Sequence, residues 1–436
     1  MYRSNIHIKR KQIIAAIGVA VALIGGTYFF GDTIGRNVMS AYAHITGQSE
    51  APLHESEGRY VRQIVAQNNS TSRTIMWQSD ISEDGAIVEY RVANSSDIKS
   101  VNATNRAFTD DGTTSYIHEA TIAELTPNTT YEYRVGYGNK RSNWYKLTTA
   151  GAHDYQVLIY PDSQSADYSG WAKLVKDSVQ RNPNAALYVS MGDLVDNGEQ
   201  ASQWRAWFNS IEPLASRTAF ALLMGNHETY NLDWKVREPV AYTNYFTLPS
   251  NGNDEYKNRY YSYDFGDVHY VVLDTQFKEA EGFHDNLRDD EVAWLRQDLA
   301  NNTKKWTVVL MHKDSIRYKN TKTNWEPGIN DIGETFMPIF DEFNVDVVLS
   351  AHYHTYRNRG HICNFERNES GPLYIITGVA GDVRYQNLWI NHPLDIVVAP
   401  QPETDNYMTM DVSENKLTLN AFLSDGTQID SVSVTK

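Results

Sequence analysis

Five short polar clusters in this chain each follow directly on an apolar, strand-like run, and this pairing restricts the fold more than any other feature. Asp162-Ser163-Gln164 follows the run 155–160, Gly192-Asp193-Leu194-Val195-Asp196 follows 185–190, and Gly225-Asn226-His227-Glu228 follows 218–224. His312 ends the run 306–311, and Ala351-His352-Tyr353-His354 follows 346–350. Runs without polar alternation are the texture of strands buried on both faces. Amphipathic stretches at 170–180, 199–214, 289–301 and 333–343 lie between them, so residues 154–436 read as one α/β domain. From about Tyr407 alternating strands return, with a hairpin signal at Ser424-Asp425-Gly426. Ligands of α/β sheets bind outside the carboxyl ends of strands. Clusters scattered from Asp162 to His354 would therefore converge on one rim.

The residue types at that rim specify the chemistry. Asp, Asn and Gln offer oxygen, and His offers imidazole nitrogen. Such a mixture suits zinc, manganese or iron, whereas calcium sites take oxygen alone. His352 and His354 are two apart: on an extended strand they would point the same way, but in an irregular loop they could reach two different ions. Two cations about 3.5–4 Å apart repel. A bridging carboxylate offsets that repulsion, and an aspartate directly after a glycine is a suitable candidate.

The rest of the chain supplies context. Arg3, Lys9, Arg10 and Lys11 precede an uncharged run at 13–30, which at about 1.5 Å per residue comes near a bilayer's hydrocarbon thickness. Basic residues on its N-terminal side predict an exported chain. Residues 1–30 are read as a membrane anchor in preference to a cleaved signal ending at Ala41-Tyr42-Ala43, and 31–58 as a linker. Residues 59–150 show short alternating strands separated by turn signals, as in a β-sandwich with Trp77, Tyr131 and Tyr133 in its core. The net charge of −15 repels nucleic-acid backbones and excludes non-specific DNA or RNA binding. The single cysteine, Cys363, excludes a disulfide framework and reads as a small buried apolar residue.

Taken in order, D-x-Q, G-D-x-x-D, G-N-H-E, a strand-end His and A-H-x-H resemble the calcineurin-like metallophosphoesterase superfamily. The stretch Leu125-Thr126-Pro127-Asn128-Thr129-Thr130-Tyr131 resembles late strands of a fibronectin type III domain, which narrows the likeness to purple acid phosphatase-like proteins. The resemblance implies a β-sandwich flanked by helices, with metals at the strands' carboxyl ends. It implies two divalent or trivalent ions (Fe, Mn or Zn), one held by Asp162, Gln164, Asp193 and His354, the other by Asp193, Asn226, His312 and His352. Hydroxide would attack a phosphate ester, and His227 would protonate the leaving alkoxide. Three residues depart from the family pattern: Gln164 stands where His or Gly is usual, Asp196 replaces the tyrosine ligand behind the purple colour, and Ala351 replaces a glycine.

Phosphomonoester hydrolysis is the leading expectation. A phosphodiesterase or nucleotidase on the same site is the alternative, and a surface binding protein with a structural metal the third. Asp274-Thr275-Gln276 repeats D-x-Q as a decoy, and His269 inside a strand reads as structural. Glu228 reads as support for His227 or as a helix cap. His153 and His361 read as solvated loop residues.

Overall fold

The computed structural model describes residues 50–82, 84–319, 326–384, 391–400 and 405–436. The apolar run 13–30, expected as a membrane or signal helix, lies outside the described residues, as does the linker up to residue 49. Among the described residues no helix is long and apolar enough to cross a membrane.

Two large sheets face each other. In one, Tyr155–Tyr160, Leu187–Ser190 and Ala219–Leu222 run parallel. In the other, Val268–Leu273, Trp306–Met311, Val347–Ser350 and Leu373–Thr377 run parallel. The period of two along a strand explains why these segments are predominantly apolar. Val268, Tyr270 and Val272 enter the core between the sheets, while Val271 and Leu273 enter a second core against helices Leu287–Asn301 and Asp331–Glu342. Trp306, Val308 and Leu310 are divided from Val309 and Met311 in the same way. With both faces spent on packing, polar side chains are left to the loops beyond the carboxyl ends.

The N-terminal unit is all-β, as expected. Ala86–Val92, Thr130–Tyr137 and Tyr145–Thr148 form a sheet over Arg59–Ile64, Arg73–Ser79 and Thr113–Ile122, with Trp77, Tyr131 and Tyr133 between them. Its second layer is not private. Gln63 and Ile64 pair in parallel with Ala219 and Phe220 of the α/β unit, and the Val65 N–H donates to the Phe220 carbonyl at 3.0 Å. One ten-stranded sheet thus runs from Gln428–Thr435 at one edge to Thr104–Asp110 at the other.

The hairpin turn after Thr104–Asp110 also reaches the α/β unit. Asp110 takes both guanidinium ends of Arg237, at 3.0 and 2.6 Å. Asp111 accepts from the N–H of Ala201, the first residue of helix Ala201–Ala215, at 3.0 Å. An anionic acceptor there satisfies an orphan donor and meets the positive end of the helix.

Three expectations need correction. Residues 51–58 are not all linker: Ala51–Pro52 pairs with Lys140–Arg141, and Glu57 accepts from the Tyr137 hydroxyl at 2.9 Å. His361 lies in the strand Tyr356–Cys363, where its Nδ1–H donates to the Gly371 carbonyl at 2.7 Å. Cys363, at that strand's end, is half-buried instead of buried.

His269 is structural. It spans Asp264 through Nδ1 and Asp298 through Nε2, each at 2.8 Å. Burial alone would depress its pKa, but the two carboxylates outweigh burial and raise it to about 9. A raised histidine stabilises fully below its unfolded value near 6.5, and the contribution fades as pH climbs through the folded value. The melting temperature should therefore fall between about pH 6.5 and 9, and His269→Gln should flatten that slope. An unaltered slope in the variant assigns the pH response elsewhere.

Candidate metal centre

Asp193 is the hub of the strand-end loops. It has a left-handed backbone (φ 46°) directly after Gly192 (φ 89°). A side chain at Gly192 would bring a Cβ within 2.7 Å of His312 Nδ1, and one at Gly225 would come within 2.1 Å of Asp193 Oδ1. Both glycines are thus required by close approach. The carbonyl of Asp193 accepts from the N–H groups of Ser163 and Gln164, each at 3.0 Å. Its Oδ1 accepts from the His227 N–H at 2.9 Å, and its Oδ2 lies 3.1 Å from His312 Nε2. Through this one residue, the loops carrying D-S-Q, G-N-H-E and His312 are tied together.

Two donor clusters share that carboxylate. Asp193, His312 and His352 have ligand atoms within 4.8 Å of one another, and so do Asp162, Asp193 and His354. His352 and His354 both adopt positive φ, at 71° and 50°. The irregular loop they share lets them face different clusters, the second of the two arrangements open to an H-x-H pair. Ala351 is not among the positive-φ residues, so replacing glycine costs nothing there.

The remaining expected site residues stand in the same loops. Asn226 borders a cavity of about 360 Å³ together with Asp193, His227, Tyr230, Trp234, His352 and His354. Gln164 is buried beside Asp193 through its backbone. Asn226 Oδ1 and Gln164 Oε1 are buried oxygens with no hydrogen-bond donor among the described residues. Buried acceptors without partners are costly, and a cation at the rim would satisfy them. The donor set therefore fits the ions expected there.

Charge points the same way. Burial pushes the Asp162 carboxyl well above the usual range, with the Asp193 charge adding to the rise against the pull of His312. Burial also works against ionised Asp193, but the imidazoles of His312, His227 and His352 outweigh it and hold its carboxyl far below normal. Burial would lower His312, yet Asp193 raises it to about 9; burial takes His354 down to about 3. The His312 Nδ1–H donates to the Met191 carbonyl at 2.9 Å, which turns Nε2 toward both aspartates.

Two residues hold the loops and the acid in place. The expectation that Glu228 supports His227 or caps a helix is corrected. Its carboxylate accepts from the backbone N–H groups of Gly225 (2.7 Å), Leu194 (2.8 Å), Asp193 (3.0 Å) and Val195 (3.3 Å). Glu228 thus holds the G-D-x-x-D turn to the G-N-H-E turn. Burial and the nearby Asp193 charge raise its pKa to about 7. Asp196 serves His227: its carbonyl accepts from the His227 Nδ1–H at 2.6 Å. A carbonyl can only accept, so this fixes the tautomer, and any exchange with a substrate runs through Nε2. The decoys are occupied elsewhere. Asp274 binds Arg259 at 2.8 Å, and His153 contacts Asp267 at 3.1 Å.

Residues 60–149 match the family model described as Purple acid Phosphatase, N-terminal domain, and residues 153–356 match that of Calcineurin-like phosphoesterase. Purple acid phosphatase 18 of Arabidopsis thaliana is 23% identical over 269 residues, covering 61% of this chain and 58% of the relative. Acid phosphatase type 7 of Mus musculus is 26% identical over 313 residues, covering 64% of this chain and 68% of the relative. The chain thus spans just under three fifths of the length of four of the curated plant relatives it matches. Among solved structures, a purple acid phosphatase from yellow lupin (Lupinus luteus) seeds superimposes with a TM-score of 0.70 over 87% of this chain and 74% of that one. At 18% identity, that likeness shows the fold alone.

Removing the Glu228 carboxylate leaves its buried N–H donors without an acceptor. Glu228→Ala should lose about 2–4 kcal/mol of stability and bind fewer ions than the parent, as read by denaturant unfolding and metal analysis. Parent-like stability with full metal content would remove Glu228 from this role.

Proposed function

We propose that this chain, a purple acid phosphatase-like metallophosphoesterase in both its matched domains, hydrolyses phosphate monoesters at a two-cation centre. The observation that carries the reading is Asp193, a single carboxylate common to two donor clusters and hydrogen-bonded to the backbone of His227. Asp162, Gln164, Asp193 and His354 would hold one ion, and Asp193, Asn226, His312 and His352 the other. Iron, manganese and zinc all suit this mixture of oxygen and imidazole donors. When bound, such a pair acidifies a water toward neutrality and neutralises phosphate oxygens.

The chain's own residues position and protonate. Asp162 and Asp193 supply two negative charges to offset the four of a divalent pair, leaving the pit cationic within an acidic protein. In hydrolysis the water oxygen forms a bond to phosphorus, and the bond from phosphorus to the ester oxygen breaks with its electron pair on that oxygen. His227 would protonate that oxygen through Nε2, with Nδ1 committed to Asp196. Positioning and charge neutralisation carry most of the rate in such a loose transition state. The basic residues ahead of the apolar run 13–30 support an exported, surface-anchored location for this activity.

Metal analysis of the purified protein, paired with mono- and diester hydrolysis before and after chelation, tests the reading. Two ions per chain and chelator-sensitive monoester hydrolysis are expected; a metal-free, folded protein would sink it. Asp193→Ala should lose both ions at once, and a variant retaining two would refute the shared ligand. His227→Ala should slow alkyl phosphates by about 10²–10⁴ and nitrophenyl phosphate much less, since that leaving group needs little protonation. Equal losses on the two would remove its acid role.

A further inference from the structure

Trp234 is out of place by the ordinary rules of folding. It is 54% exposed, and its backbone is left-handed at φ 60°. Bulky residues avoid that region, and large aromatic rings are normally buried. Neither local comfort nor core packing explains it.

Its turn is nevertheless well built. Asn231 Oδ1 accepts from the N–H groups of Asp233 and Lys235, at 3.0 and 2.8 Å, and the Trp234 N–H donates to the Asn231 carbonyl at 2.8 Å. That carbonyl also accepts from Asn197 Nδ2 at 2.6 Å, and Glu199 Oε2 accepts from the Leu232 N–H at 2.7 Å. The turn is thereby fastened to the segment that follows Asp196. The ring it presents lies 6.1 Å from the imidazole of His227, and the Tyr230 ring lies 5.6 Å from it, both nearly perpendicular to the imidazole. Tyr230 and Trp234 are 6.1 Å apart, and both border the cavity that holds Asp193.

The donor of the leaving-group proton marks where the leaving group stands. We propose that Tyr230 and Trp234 form a platform for that group, so that the preferred substrates are monoesters with a flat aromatic ring directly on the ester oxygen, as in aryl phosphates. The inference rests on the phosphomonoesterase reading above. A ring attached to the ester oxygen reaches the platform at once, because both side chains sit in the first layer around His227. A nucleobase, separated from its phosphate by a ribose, would reach beyond it. Aromatic stacking of this kind commonly changes affinity by about tenfold.

The metal-replete protein is compared with Trp234→Ala and Trp234→Phe on phenyl phosphate, glycerol 1-phosphate and adenosine 5′-monophosphate. Trp234→Ala should lower kcat/KM on phenyl phosphate by about tenfold, at least five times its effect on glycerol 1-phosphate, and Trp234→Phe should restore most of the loss. Calorimetric binding provides a second readout: phenylphosphonate should bind the parent more tightly than methylphosphonate, and Trp234→Ala should erase the difference. Equal losses on all esters, or equal binding of the two phosphonates by the parent, would overturn the platform. A selective loss on the nucleotide alone would overturn the assignment of the ring to the ester oxygen. If the parent hydrolyses none of the esters, the fault lies with the phosphatase reading, and the phosphonate comparison still decides the platform.

Discussion

Everything at the rim depends on keeping the carboxylate of Asp193 ionised inside the protein. It is 1% exposed, beside two other fully buried acids, Asp162 and Glu228. Three negative charges in that volume repel strongly, and burial favours their neutral forms. The chain answers with a fixed set of donors. His227 offers its backbone N–H, His312 offers Nε2, and the two polar turns offer N–H groups to Glu228. These groups come from three strand ends, two in one sheet and that of His312 in the other, so the electrostatic problem is solved only when both sheets are in register. The constraint that makes the pocket attractive to cations therefore also locks its loops.

The outline of this arrangement was legible because burial leaves a strong mark on composition. Strands packed on both faces carry few polar side chains, and those they carry are paired, as His269 is, so Asp162, Asp193, Asn226, His312 and His352 stood out at the points where the apolar runs stop. Parallel pairing then placed those points on one rim. The order of donors along the chain left two ions open as one arrangement, and the resemblance that order carries to the metallophosphoesterase superfamily supplied the expectation of a pair with Asp193 shared. The structure brings Asp162, Asp193, His312, His352 and His354 within reach of one another, with Asn226 on the same cavity.

What escaped was whatever depended on backbone direction. Glu228 follows His227 in the chain, yet its carboxylate turns back under Asp193, because the left-handed turn at 192–193 exposes a row of N–H groups there. His361 looked like a loop residue because its strand carries charge and glycine, and only its partner Gly371 reveals the pairing. Trp234 gave no sign of its strain, since a positive φ at tryptophan has no sequence signature. The salt bridge of Asp110 to Arg237 joins residues far apart in sequence, and no local pattern announces it.

The strand Arg59–Ile64 has a double membership: it closes the N-terminal sandwich and also extends the sheet that carries Asp162 and Asp193. An appended module joined by a tether can be cut away without harm to its neighbour. Here the cut would strip Ala219–Leu222 of its neighbour on one side and bare amide groups on an apolar edge strand, the kind of surface that recruits other chains. The N-terminal unit of this protein is thus a cover for a raw margin of the α/β unit.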